Sequence, residues 1–127
     1  MSEAGIDLIA DVYEAFNDGF VDGFVDVKRQ WFHDPDFDVY LRTGPREFYG
    51  RRYYALTIAD VTVKESARGQ GVLSSMLLEL ECAARLLSCE ALFVENLRPE
   101  LMNPLAKRRF WARMNDGGYF DMLKELG

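Results

Sequence analysis

The chain has 127 residues and carries 15 lysine and arginine residues against 21 aspartate and glutamate residues, a formal net charge of −6. This length fits a single domain over residues 1–127, and the acidic balance disfavours nucleic-acid binding, which depends on cationic surface. Two cysteines and one histidine are too few for a disulfide scaffold or a histidine-rich site, so no metal is predicted. Without a signal-peptide pattern or an apolar run near 18 residues, we expect a cytoplasmic protein that does not cross a membrane.

Apolar periodicity predicts two helices in the first 31 residues. The first helix has an apolar face made of Leu8, Val12, Ala15 and Phe16. The second is predicted because Phe20, Phe24, Val27 and Trp31 recur at helical spacing. His33, the only histidine, falls in the turn that follows, and we interpret it as a turn or capping residue.

The rest of the chain alternates between strand and helix patterns. The predicted elements are a strand over residues 37–42, a hairpin leading into a long strand over 52–63, a helix over 73–87, a strand over 91–94, and a helix over 104–114. Because a helix separates them, the strand over 91–94 is predicted to lie parallel to the long strand. A short tail over residues 119–126 ends the chain.

The long strand contains a change of apolar phase. Leu56 and Ile58 belong to one phase of the alternation, whereas Val61 and Val63 belong to the other. One extra residue at Ala59-Asp60, a β-bulge, would bring both pairs to one face. The alternative is a central strand buried on both faces, in which phase carries no information.

A polar loop with two glycines joins this strand to the next helix. Its sequence is Ser66-Ala67-Arg68-Gly69-Gln70-Gly71-Val72. Backbone N–H groups at a helix N-terminus bind anions, and glycines let the main chain approach a pyrophosphate closely. The loop lacks the lysine of a Walker loop and the third glycine of a dinucleotide fingerprint, so its chemistry alone leaves a plain glycine turn open.

The sequence around this loop resembles the acetyl-CoA motif of the GNAT acyltransferase superfamily. The segment from Val63 to Gly71 is similar to the valine that closes the family's fourth strand, followed by R/Q-x-x-G-x-G/A. Asn103-Pro104-Leu105-Ala106 resembles the Asn-x-x-Ala before the family's last helix, and Gly118-Tyr119 resembles the Gly-Phe that closes it. The resemblance extends from Ala55 to Tyr119, about half of the chain, and suggests a minimal or truncated member.

The resemblance implies an α/β (α+β) fold with a GNAT-like mixed central sheet flanked by helices, in which the first and last strands are absent or shortened. It also implies that the fourth and fifth strands splay apart and that the pantetheine arm of acetyl-CoA, the cosubstrate, lies between them. The implied cofactor-binding residues are Val61, Val63, Arg68, Gly69, Gln70, Gly71, Val72, Leu73, Ser74 and Asn103. The bulge would direct a backbone N–H toward the thioester carbonyl, as an oxyanion hole does.

The leading candidates for catalysis are Asp60, Glu95 and Tyr119. A general base must take a proton from the ammonium form of the acceptor, and Asp60 is ranked first because it lies closest to the expected thioester, ahead of Glu95 and the loop carboxylate Glu65. Counting from Asn103, the family's proton-donating tyrosine falls on Phe110, which cannot donate, and Tyr119 is the substitute.

We therefore predict an acetyl-CoA-dependent N-acetyltransferase whose amine acceptor, a small molecule or a protein, stays open. The alternative is a catalytically weak or inactive GNAT-like domain that acts by binding CoA or by contacting another protein. The sheet edge left by the absent strands is compatible with a homodimer.

Overall fold

The structure is a computed structural model of the chain, and it describes residues 7–17, 20–21, 24–25, 28–97, 110–114, 117 and 119–126. The elements in chain order are α1 (Leu8–Phe16), β1 (Phe20–Val21), β2 (Phe24–Val25), β3 (Lys28–His33), β4 (Phe37–Phe48), β5 (Arg51–Val63), α2 (Val72–Leu86), β6 (Ala91–Leu97), β7 (Trp111–Met114) and β8 (Phe120–Glu125). No helix of the described part is long and apolar enough to cross a membrane.

Six strands form one mixed sheet in the order β3-β4-β5-β6-β8-β7. β5 and β6 pair in parallel, as the intervening helix predicts, and the other neighbours in this sheet pair antiparallel. The sheet has short strands at its margins, with six residues in β3 and four in β7. A mixed sheet with helices and shortened outer strands is the fold class that the sequence predicts.

Both helices pack on one face of this sheet. Leu8, Val12 and Phe16 of α1 are buried, which confirms the predicted apolar face. The buried stripe of α2 consists of Met76, Leu77, Leu80, Ala83 and Ala84. These side chains share one core with alternate strand residues such as Val39, Leu41, Leu56 and Ile58. A second cluster lies on the opposite face of the sheet, because its strand residues alternate with those of the first core. It consists of Phe48, Tyr53, Ala55, Ala91, Phe93 and Leu123.

The predicted helix over residues 20–31 is wrong. β1 and β2 pair antiparallel through Val21 and Phe24, and β3 begins at Lys28. The apolar residues that suggested a helix also fit two short strands. They are aromatic or β-branched, and such residues favour strands. The dipeptide Asp22-Gly23 between the apolar pairs is a hairpin signal that the periodicity argument overlooked.

The predicted helix over residues 104–114 is wrong at its C-terminal end, since Trp111–Met114 form β7. Residues 104–109 lie outside the described residues. The tail predicted over residues 119–126 is likewise corrected, because Phe120–Glu125 form β8 between β6 and β7. Met122 and Leu123 are both fully buried, so β8 lacks the simple alternation that would identify a strand, and its local hairpin with β7 was overlooked.

Candidate active site

The predicted β-bulge is present in β5. Tyr40 of β4 pairs with Asp60, whereas the next residue, Leu41, pairs with Ile58, so Ala59 is the extra residue. Ile58 is buried in the helix-side core, and Val61 packs against the same core beyond the bulge. The alternative prediction, a central strand buried on both faces, also holds for the first part of β5, since residues 55–58 are all buried. The bulge therefore marks the point where β5 changes from a central strand to a strand with an exposed face.

β5 and β6 splay apart at this bulge. Their parallel pairing extends only from Ala55 with Ala91 to Ile58 with Val94. Both strands continue, β5 to Val63 and β6 to Leu97, without pairing with each other. The region between the unpaired ends, which we call the fissure, lies where the resemblance to GNAT proteins implies a splayed pair of strands.

Backbone groups of Val61 and Val63 point into the fissure. The N–H of Lys64 donates to the carbonyl of Asp36 on the β4 side, at 2.9 Å. Backbone groups of successive residues in an extended strand point to alternate edges. The N–H and C=O groups of Val63, and by the same alternation those of Val61, are therefore directed to the β6 side.

The loop after β5 exposes the N-terminus of α2. Gly71 is the N-cap residue, and no side chain caps the helix there, so the first-turn N–H groups, which lack intrahelical partners, face outward. Gly69 and Gly71 have φ values of +77° and +75°, which favour glycine, and a Cβ at either position would meet no atom within 4 Å. The loop therefore combines outward N–H groups with open space, as an anion site requires.

Side chains of the loop itself hold it against the end of β5. Arg68 Nε donates to the carbonyl of Val63 at 3.2 Å, and Gln70 Nε2 donates to the carbonyl of Ser66 at 3.0 Å. Only one of the five N–H donors of a guanidinium is used in the Arg68 bond. Arg68 thus lies at the junction of the fissure and the helix N-terminus.

Asp60 is exposed and lies at the bulge. Directly opposed residues of antiparallel strands project from the same face, so Asp60 shares a face with Tyr40, opposite to the helices. Its position beside the fissure is compatible with the role of a base acting on an acceptor that approaches from this open face.

Glu95 is engaged by two guanidinium groups. It is the first residue of β6 after the paired segment, its side chain is 15% exposed, and its carboxylate accepts hydrogen bonds from Arg42 and from Arg46, the latter at 2.8 Å. The Arg46 guanidinium also lies 4.5 Å from the centre of the Phe93 ring. These bonds tie β4 to the splayed end of β6 across β5, which is a positioning arrangement rather than that of a free base.

The remaining predicted site residues are distributed as follows. Tyr119 is 46% exposed and directly precedes Phe120, which pairs with Leu97 at the open end of the fissure. Phe110 is 6% exposed and belongs to the helix-side core. Asn103 lies outside the described residues.

Sequence reasoning missed Arg42 and Arg46. The two arginines are four apart in β4 and so lie on the same face, which the alternation predicts once the strand is known to continue to Phe48. Their shared partner could not be found, because Glu95 lies two strands away and more than 45 residues later.

No protein-family model matches the sequence, and no curated protein matches it. Among solved structures, a candidate acetyltransferase from Agrobacterium tumefaciens is similar, with 16% identity over 99% of this chain and 97% of its own and a TM-score of 0.59. A GNAT family acetyltransferase from Listeria monocytogenes has 16% identity over 94% of this chain and 86% of its own, with a TM-score of 0.58.

A variant of the toxin AtaT, bound to the C-terminus of the antitoxin AtaR and to acetyl-CoA, is also similar. It has 15% identity over 71% of this chain and a TM-score of 0.57, and the likeness covers 58% of the toxin chain. Together these likenesses show that the chain has a GNAT-like fold.

Proposed function

We propose that this chain is an acetyl-CoA-dependent N-acetyltransferase. The observation that carries the proposal is the fissure, where two parallel strands separate at a β-bulge and leave backbone groups of Val61 and Val63 directed into the gap. The exposed N-terminus of α2 lies just beyond the end of β5. This combination suits a ligand that has an extended amide-bearing arm and a pyrophosphate.

The described residues fit acetyl-CoA. Pantetheine carries amide groups that can pair with a strand edge, which is the role we assign to Val61 and Val63. Arg68 and the N–H groups from Gly69 to Ser74 would hold the pyrophosphate, because the helix dipole and unpaired amides favour negative charge. Orphan amides without a side-chain cap support this assignment.

Acetyl-CoA supplies an acyl thioester that an amine can attack. Asp60 takes the proton of the incoming ammonium, and a backbone N–H at the bulge donates to the carbonyl oxygen as negative charge develops there. Removing one such donor elsewhere typically costs about 3–4 kcal/mol of transition-state stabilisation. Tyr119 is the candidate donor of a proton to the leaving sulfur. Holding the amine and the thioester in line supplies much of the remaining rate.

A thermal-shift titration with acetyl-CoA tests this proposal. A ligand at one hundred times its Kd stabilises the native state by about 2.7 kcal/mol, so the melting temperature should rise by several degrees. Gly69→Glu should abolish the shift, because it places bulk and negative charge against the pyrophosphate.

Gly50→Glu is the matched control. Gly50 has nearly the same φ, +78°, and the same open surroundings, but it lies in the β4–β5 hairpin. Both variants lose stability through backbone strain, and only Gly69→Glu should lose the acetyl-CoA shift. A wild-type melting temperature that does not move at millimolar acetyl-CoA contradicts the proposal.

A second candidate function is acetyl-CoA binding without turnover. It is favoured by Glu95, whose carboxylate is occupied by Arg42 and Arg46. Incubation with acetyl-CoA and a panel of amines, polyamines and lysine peptides, followed by mass spectrometry, separates the two. Stabilisation by acetyl-CoA with no acetylated product in any reaction would support the binding function.

A further inference from the structure

A row of three side chains, exposed at both ends and half-buried in the middle, crosses the open face of the sheet and ends at the fissure. Trp31 of β3 pairs with Tyr40 of β4, and Tyr40 pairs with Asp60 of β5. Directly opposed residues share a face, and adjacent strands lie about 4.8 Å apart, so the row is about 10 Å long. We call these three residues the acceptor row.

The aromatic part of the row is held in place by ring contacts. The Trp31 and Tyr40 rings are 5.0 Å apart between centroids, and the Trp31 and His33 rings are stacked at 6.0 Å with an interplanar angle of 5°. Trp31 is nevertheless 44% exposed. Exposed indole surface is costly in water but binds cations well, because its π face carries negative potential.

The charges around the row change sign along the strands. Asp38, which binds His33 Nδ1 at 2.6 Å, lies on the loop side of the row. Arg29 and Arg42 pair with each other on the opposite side, and Arg42 is held by Glu95. A cation on the row is therefore attracted toward Asp38 and Asp60 and repelled from the arginines.

The two carboxylates are spaced for a ligand with more than one cationic group. Asp38 is two residues from Tyr40 on β4, and Asp60 lies opposite Tyr40 on β5, so they are diagonal neighbours across the pair. Such neighbours are about 7–8 Å apart. One ammonium group at each carboxylate, joined by an apolar chain over Tyr40, and a further cationic group over the exposed Trp31 ring satisfy both charge and surface.

We infer that the acceptor row binds a linear polyamine and presents one of its primary amines to Asp60; this inference rests on the proposed acetyltransferase function. The ammonium loses one proton to Asp60, and the free amine attacks the thioester carbonyl carbon. The C–N bond forms as the C–S bond breaks, Tyr119 gives a proton to the sulfur, and the second proton lost by the nitrogen replaces it, which gives the N-acetylated polyamine and CoA thiol.

Calorimetric titration of the protein with spermidine, without acetyl-CoA, tests the row directly. Trp31→Ala should raise the Kd for spermidine about two- to fivefold, since a cation over an exposed indole face contributes on that scale. Asp38→Asn should also weaken binding. Tyr13→Ala is the control, because Tyr13 is 42% exposed on α1, away from the row. The Kd of this variant for spermidine should equal that of the wild type.

The same titration with n-pentylamine and with a lysine-containing acetylated tetrapeptide identifies the ligand class. The inference predicts that spermidine binds more tightly than either. It is overturned if the monoamine or the peptide binds as tightly as spermidine, or if Trp31→Ala and Tyr13→Ala have equal affinities. Acetyl-CoA stabilisation, measured in parallel, tests the proposed function separately, because neither Trp31 nor Asp38 lies in the loop that would hold the pyrophosphate.

Discussion

Phe110 illustrates how a residue count along a family motif can lead to the wrong part of a fold. The count from Asn103 aligns it with a proton-donating tyrosine, but Phe110 is buried in the helix-side core. The next residue, Trp111, pairs with Leu123, which pairs with Phe93 in the closed part of the sheet. Phe110 therefore lies away from the fissure, which opens beyond Val94.

Phe110→Tyr should accordingly destabilise the fold. A hydroxyl buried without a partner costs about 1–3 kcal/mol, which urea denaturation followed by circular dichroism would detect. Tyr40→Phe, which removes a hydroxyl from a half-buried strand position, should change stability much less. Unchanged stability of Phe110→Tyr together with faster acetylation would restore the original alignment.

Asp60 and Glu95 should respond differently to neutralisation. Asp60→Asn should lower the acetylation rate by roughly a hundredfold at neutral pH, because it removes the base, while leaving acetyl-CoA affinity unchanged. The deficit should shrink as pH rises, since the amine then arrives deprotonated. Glu95→Gln should instead lower stability, because two half-buried guanidinium groups lose their anionic partner. A full rate in Asp60→Asn at every pH would exclude it as the base.

Cys89 gives a pH test of the core. Burial raises the pKa of its thiol from 9.0 to about 12, so the folded state keeps a proton that the unfolded state releases. The contribution of the protonated Cys89 thiol to the free energy of unfolding is therefore complete below pH 9, and it is lost as pH rises toward 12. At pH 10 the wild type should have lost about 1.4 kcal/mol relative to Cys89→Ala. Equal slopes of stability against pH for the two proteins would contradict the burial of this thiol.

At the scale of elements, α2 is attached to β8 by a charged contact. Glu81 of α2 accepts a hydrogen bond from Lys124 of β8 at 2.8 Å and another from Arg85, one turn later, at 2.6 Å. Burial raises the pKa of Glu81, but the bonds from Lys124 and Arg85 outweigh it, and the net pKa is lowered. The contact holds α2, which begins at the glycine loop, against β8, which begins directly after Tyr119.

Glu81→Gln should therefore destabilise the protein by about 1–3 kcal/mol near neutral pH, since a half-buried ammonium loses its partner. The stabilisation by Glu81 is present above pH 4.5 and is lost as pH falls through the lowered pKa. The difference between wild type and variant in urea midpoint should shrink in acid. A difference that stays constant down to pH 3 would mean that packing, rather than charge, accounts for it.

Elements with local signals were predicted well from the sequence. The helix over residues 73–87 has a continuous apolar stripe, and the phase change between Ile58 and Val61 located the bulge at Ala59. The short strands near the N-terminus were mistaken for a helix, because the apolar spacing over residues 20–31 fits both structures. β7 and β8 form a local hairpin that pairs Met114 with Phe120, and it was missed because β7 was interpreted as the end of a helix and β8 as a tail.

The candidate active site likewise has parts with a local sequence signal and parts that depend on strand pairing. The glycine loop and the two valines of β5 could be proposed as ligand-binding residues because the motif is contiguous. The arginines that bind Glu95, and the row formed by Trp31, Tyr40 and Asp60, depend on the register of three strands. A segment assigned as a helix over residues 20–31 could not place Trp31 opposite Tyr40, so the sequence interpretation contained no acceptor surface.

At the scale of the whole molecule, the sheet divides into a closed and an open part. β5 and β6 are paired and buried on both faces near Ala55 and Ala91, and they separate beyond Ile58 and Val94. Helices cover one face, and the acceptor row lies on the other. In the proposed function, this division lets the fissure hold acetyl-CoA within the sheet while an amine reaches Asp60 from the open face.

Amide hydrogen exchange by NMR, with and without acetyl-CoA, tests this account most directly. The amide of Lys64 is already bonded to Asp36 on the β4 side, whereas those of Val61 and Val63 point into the fissure. We predict that acetyl-CoA slows exchange at Val61 and Val63 and changes Lys64 little. Slowed exchange elsewhere, with the amides of Val61 and Val63 exchanging as fast as before, would contradict the binding of acetyl-CoA between β5 and β6.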